Sequence, residues 1–199
     1  GTMNGVASGS SLANVQVYYR FTGRSSHAAA SPHLGRSALD AVALMNVGVN
    51  YLREHVIPEA RVHYAVIDTG GKSPNVVQPN AEVLYLIRAP QNSQVREIHE
   101  WVNDIARGAA LMTQTELQIE VDKACSNLIP NEVLEKLMQA NLEAIPPVAY
   151  SPEEEAFAAA IRGTLGEAEL AKERGALIAR YGGQKGRQLA GALAGKSLY

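Results

Sequence analysis

The sequence predicts an α+β fold, a ferredoxin-like β-α-β-β-α-β sandwich with a helical C-terminal extension. Three observations predict it. Four segments between Val15 and Val121 carry strand-like patterns, three of them alternating apolar with polar residues. Two helical segments with apolar spacings of three and four separate them in the order that topology requires. Residues 130–199 are rich in Ala, Glu and Leu and almost wholly helical in pattern. The expected core is a four-stranded antiparallel sheet with both helices on one face.

The elements follow in order. Val15, Val17, Tyr19 and Phe21 alternate with Gln16, Tyr18 and Arg20, a half-buried strand. Gly23 to Pro32 is a polar loop of small residues. Ser37, with Asp40 three positions on, signals a helix start. Leu39, Val42, Ala43, Asn46 and Val49 are its expected inward stripe. Val62, Tyr64 and Val66 form the second strand, which ends in Thr69-Gly70-Gly71, a turn able to supply positive φ. Ala81 to Arg88 is apolar on both faces in its middle, so the third strand is expected to be central and covered on both sides.

Ser93 starts the second long helix, with Val95, Ile98, Val102, Ile105 and Ala109 on one face. Leu117, Ile119 and Val121 alternate with acidic and amide residues in the fourth strand. Asn131 caps a helix bearing Leu134, Leu137, Met138 and Leu142, and Pro146-Pro147 breaks it. Ser151-Pro152-Glu153-Glu154 opens another helix. A further one is expected over residues 167–181, and 182–199 is weakly patterned. The resulting division is 9–127 for the sandwich and 128–199 for the helical segment.

Composition narrows the function. Hydrophobic residues make up 46% and charged residues 19%, so the chain has enough apolar surface to fold. The net charge of −2 and the mixed acids and bases argue against nucleic acid as a partner. No apolar run is long enough to span a bilayer, so no membrane partner is expected. The single cysteine, Cys125, permits no intrachain disulfide, and a cytoplasmic location is expected.

Several residues can carry chemistry. His27 lies in Gly23-Arg24-Ser25-Ser26-His27-Ala28-Ala29-Ala30, where small neighbours leave the imidazole open. It reads either as a polar loop residue or as a donor to a developing oxyanion. Asn75 sits in the rigid run Ser73-Pro74-Asn75-Val76-Val77-Gln78-Pro79, as an Asx turn or as a ligand contact. Arg88 ends a strand on the parity of Leu84 and Leu86. It either snorkels to water or captures a carboxylate with its planar fork. His33, His55, His63 and His99 match no zinc spacing, and Cys125 has no evident base beside it.

Together these segments resemble the dinuclear zinc peptidase and amidohydrolase family of aminoacylase, carboxypeptidase G and the auxin-conjugate hydrolases. The resemblance rests on Gly23-Arg24-Ser25-Ser26-His27-Ala28, then Pro32, Gly35 and Ala38, then Asn75-Val76-Val77-Gln78-Pro79 before a strand ending in Arg88. Gln78 departs from the family wording by adding a residue before the proline. The runs Ser10-Ser11-Leu12-Ala13-Asn14, residues 35–42, Leu86-Ile87-Arg88-Ala89-Pro90 and Asp122-Lys123-Ala124-Cys125-Ser126 are most similar to its aminobenzoyl-glutamate hydrolase branch.

The resemblance implies a lid and dimerisation domain that forms a homodimer. His27 would reach the partner's active site and hold the tetrahedral intermediate, with Asn75 as a neighbouring contact. Arg88 would grip the free carboxylate of a small N-acyl amino acid substrate of the p-aminobenzoyl-glutamate kind. Two zinc or manganese ions would belong to a separate catalytic domain and none to this chain, where no H-x-D motif occurs. The isolated chain would then be inactive, with residues 128–199 leading towards that other domain. The rival readings are a free-standing ferredoxin-like module binding a small ligand and an RNA-binding module of the same topology.

Overall fold

The computed structural model describes residue 6 and residues 9–146 and 149–193. The chain forms two compact units, Gly1–Leu142 and Glu143–Tyr199. The first unit follows the expected order: β1 (Ala13–Thr22), α1 (Ala38–Leu52), β2 (Arg61–Asp68), β3 (Asn80–Ala89), α2 (Asn92–Thr113), β4 (Glu116–Cys125) and most of α3 (Glu132–Ala144). The four strands form one antiparallel sheet in the order β2-β3-β1-β4. Both long helices pack on the same face.

The alternation of β1 decides which face that is. Ala13, Val15, Val17, Tyr19 and Phe21 are buried, as are Ala81, Val83, Tyr85, Ile87 and Ala89 of β3. Each large apolar side chain removed from water here contributes about 1.5–3 kcal/mol. Tyr19 and Tyr85 meet edge to face, with ring centroids 5.6 Å apart. Their hydroxyls need partners once buried. Tyr19 donates to Asn103 Oδ1 at 2.7 Å, and Tyr85 donates to Asn46 Oδ1 at 2.5 Å. Asn46, a polar residue in an apolar stripe, is thus accounted for.

Two sequence expectations need correction. The buried face of α1 is Ala38, Ala41, Val42, Met45, Val49 and Leu52, whereas Ala43 is exposed. This helix is apolar nearly all round, so spacing alone misplaces its inward stripe. Likewise β3 is central but covered on one side only. Leu84 and Leu86 lie half-buried on the opposite face, because neither helix crosses to it.

On that open face Arg20 pairs with Glu82 and Glu120 and lies 4.9 Å from the Tyr18 ring centroid. The chain reaches and leaves the sandwich at one place. Ser10 Oγ donates to the Leu128 carbonyl at 2.6 Å, and the Leu128 N–H donates to Ser11 Oγ at 3.2 Å.

The Asn131 side chain caps α3 by accepting from Leu134 N–H at 3.1 Å, and no side chain of α3 is buried. The second unit holds α4 (Pro152–Gly163), α5 (Glu167–Tyr181) and α6 (Gly183–Leu193). Ser151 and Glu154 close a reciprocal capping box on α4, as the sequence predicts. Pro147 lies outside the described residues. The unexpected helix is α6. Gly182, at φ 71°, ends α5, and Gly186 lets α6 close on it. A Cβ at Gly186 would sit 2.6 Å from Ile178 Cα. Residues 194–199 lie outside the described residues. Among the described residues no helix is long and apolar enough to cross a membrane.

Candidate functional site

The loop that follows β1 and the loop that joins β2 to β3 zip together. Gly23 N–H donates to the Pro79 carbonyl at 2.7 Å, Val77 N–H to Ser26 O at 3.0 Å, and Ala28 N–H to Asn75 O at 2.9 Å. His27 thereby forms an isolated antiparallel bridge with Val76. Two glycines make the fit possible. A Cβ on Gly35 would lie 2.4 Å from Ser26 Oγ and 2.8 Å from Val77 Cγ2. Gly70, at φ 77°, makes the return turn, where a Cβ would meet the Asn80 carbonyl at 2.1 Å.

The imidazole of His27 is exposed, and its Nδ1 is occupied. It accepts from the N–H groups of Ala29, at 3.2 Å, and Ala30, at 3.1 Å. In the neutral ring the proton therefore sits on Nε2. The loop presents an outward N–H donor held in one orientation. Asn75 is exposed beside it, its backbone anchored through Ala28.

The structure brings His27 and Asn75 together but holds Arg88 apart. The sequence alone leaves that spacing open. Asn80 of β3 pairs with Thr22, next to the His27 loop, whereas Arg88 pairs with Asn14 at the other end of the strand. Eight residues of β3 separate them, about 26 Å at the usual strand rise. Arg88 is exposed on the open face, and Arg61 of β2 stands opposite it. Two arginines thus stand opposite each other across the ladder at this end of the sheet. Arg61 was not legible as a neighbour of Arg88, because strand register is set by pairing rather than by local sequence.

Among the described residues no three His, Cys, Asp or Glu side chains come together as a metal-holding group. Cys125 is exposed at the end of β4. It borders a separate cavity under the start of α2 with His99, whose buried Nε2 has no partner. Burial holds the His99 imidazole below its ordinary value, outweighing the neighbouring Glu100 carboxylate.

A solved aminobenzoyl-glutamate utilization protein from Klebsiella pneumoniae superposes with a TM-score of 0.59 at 22% identity, over 69% of this chain and 35% of that one. At that identity the likeness shows the fold. A p-aminobenzoyl-glutamate hydrolase subunit of Escherichia coli (strain K12) is 51% identical over 90% of this chain and 37% of its own length. The Xaa-Arg dipeptidase of Mus musculus is 36% identical over 62% of this chain and 28% of its own. The chain spans roughly a third of the length of these relatives. The peptidase dimerisation domain model matches residues 9–114, which hold both zipped loops, three of the four strands and both long helices. A match over more than half the chain, joined to half-identity along nine-tenths of it, exceeds what a shared fold produces, and the chain belongs to the peptidase dimerisation domain family.

Proposed function

We propose that this chain is the lid and dimerisation domain of an amidohydrolase that cleaves an N-acyl amino acid amide of the p-aminobenzoyl-glutamate kind. The observation that carries the reading is the His27 donor. An amide under attack becomes tetrahedral and gathers negative charge on its oxygen. A fixed Nε2–H aimed at that oxygen stabilises the charge without reorganising. The Asn75 side-chain amide, on the loop zipped to it, is a second donor for the same group.

Arg88 takes the free carboxylate of the substrate with two parallel N–H groups. It cannot share a substrate with His27 of its own protomer. An acyl amino acid, two to three residues in size, reaches roughly 10 Å, far less than the length of β3. Two copies resolve this. Of the two sheet edges, β4 carries Glu116, Glu120 and Asp122, which would repel a second copy. The β2 edge exposes Tyr64, Val66 and Ile67, and the α1 face exposes Leu44, Val47 and Tyr51. A two-fold β2 seam is antiparallel. It sets the His27 end of one protomer beside the Arg88 end of its partner.

The zinc or manganese ions implied by the resemblance do not fit the described residues, and no step here runs through them. The attacking group comes from outside this sandwich. The adjacent Ser10 and Leu128 support an insertion into a larger protein, since inserted domains enter and leave at neighbouring points. The test is His27→Ala in a full-length protein containing this chain. Turnover is expected to fall about 10²–10³-fold, the usual loss for one oxyanion donor, with metal content unchanged. Undiminished turnover would contradict the role.

A further inference from the structure

A cavity of about 320 Å³ opens at the His27 end of the sheet, lined by Thr22, Gly23, Arg24, Arg36, Gln114 and Glu116. Its volume falls at the small end of the roughly 300–1,000 Å³ range of ligand sites. Two guanidinium side chains enter it side by side for a backbone reason. Arg24 N–H donates to the Arg36 carbonyl at 2.9 Å, and Arg36 N–H donates to the Arg24 carbonyl at 2.8 Å. Residues that exchange both bonds stand directly opposite, with Cα atoms about 5.5 Å apart and side chains on one side. Gly23 admits the close approach, since a Cβ there would lie 2.0 Å from the Arg36 carbonyl oxygen.

Two like charges held this close repel. Elsewhere the protein relieves such charge with carboxylates, as at Arg20 between Glu82 and Glu120. Here the partners are neutral. Arg24 Nε donates to the Leu34 carbonyl. Arg36 Nε donates to Gln114 Oε1 at 2.7 Å, and its Nη1 to the carbonyls of Gly35 at 2.6 Å and His33 at 3.2 Å. Among the described residues neither forms an ion pair, although Glu116 lies on the cavity wall.

These bonds orient both guanidiniums and leave the terminal nitrogens of Arg24 and Nη2 of Arg36 as donors. Gln114, the left-handed C-cap of α2 at φ 55°, carries the side chain that accepts from Arg36 Nε, and the Gly35 and His33 carbonyls hold Arg36 Nη1.

We propose that Arg24 and Arg36 form a binding site for a small oxyanion, a carboxylate or a phosphate. The site is distinct from Arg88, which lies at the other end of the sheet. It stands without the amide-cleavage reading, because binding needs neither a catalytic domain nor a second copy.

The test titrates the isotope-labelled 199-residue chain with inorganic phosphate and, separately, with L-glutamate, at constant ionic strength set by chloride. The Nε–H resonances of Arg24 and Arg36 are followed by nuclear magnetic resonance. They are expected to shift saturably. Arg24→Gln should weaken the affinity at least tenfold, and Arg96→Gln, on α2, should leave it unchanged. The Arg36 backbone amide reports whether the bridge survives in each variant. Saturation by glutamate alone identifies a carboxylate ligand, by phosphate alone a phosphoryl ligand, and by both a general oxyanion site. Shifts that rise linearly with concentration, appear equally at Arg96, or persist in Arg24→Gln with the bridge intact would overturn the proposal. So would wild-type resonances that do not move.

Discussion

The amide hydrogen of Ala28 donates to the carbonyl of Asn75 at 2.9 Å, across 47 residues of sequence. That bond, with its neighbour from Val77 to Ser26, converts two exposed loops into one short ladder and gives the His27 imidazole a fixed base.

Gly35 is the weak point of the ladder. Its backbone is extended at φ −83°, so alanine meets no conformational penalty. The added Cβ would instead press on Ser26 Oγ and the Val77 side chain. Gly35→Ala is expected to cost about 1–3 kcal/mol, as overpacking does. Urea unfolding checks the loss, and loss of hydrogen-exchange protection at Ala28 locates it.

The β2 edge carries the dimer prediction. Val66 is 42% exposed there beside Tyr64. A lysine on an edge strand blocks edge-to-edge pairing. Val66→Lys should therefore convert a dimer to a monomer in sedimentation, with the circular dichroism of the sandwich retained. A variant that remains dimeric would move the interface elsewhere.

His99 makes stability depend on pH. Burial holds its folded value below the ordinary 6.5. The unfolded chain then binds a proton at a pH where the folded chain does not, so stability rises with pH in that window. The contribution is present above about pH 6.5 and is lost as pH falls through and below that value. Wild-type stability in urea should decline between about pH 7.5 and 5.5, and His99→Leu should flatten that slope. An unchanged slope would assign it to other groups.

The first strand was legible because one of its faces is buried, so Val15 to Phe21 announce themselves by alternation. What failed has a physical cause in each case. Leu84 and Leu86 suggested a strand covered on both sides, yet both helices stack against the opposite face. Helix α6 was hidden by Gly183, Gly186 and Gly191, which lower helix propensity. Its formation depends on the close approach that Gly186 permits to α5.

At the site the residue types were legible and their relations were not. His27 and Asn75 drew notice as chemistry-bearing loop residues. The Nδ1 bonds from Ala29 and Ala30, and the length of sheet that parts His27 from Arg88, depend on folded geometry and strand register. The Arg24–Arg36 bridge likewise joins residues whose local sequence carries no sign of pairing.

Mixed dimers test the central relationship most directly. His27→Ala and Arg88→Ala variants of a full-length protein containing this chain are each expected to be nearly inactive alone. After unfolding and refolding together in equal amounts, half the dimers are mixed, and each mixed dimer keeps one intact site. About a quarter of wild-type turnover should return. If no activity returns while mixed dimers are demonstrably formed, His27 and Arg88 serve the same protomer's substrate, and the arrangement across the two-fold is wrong.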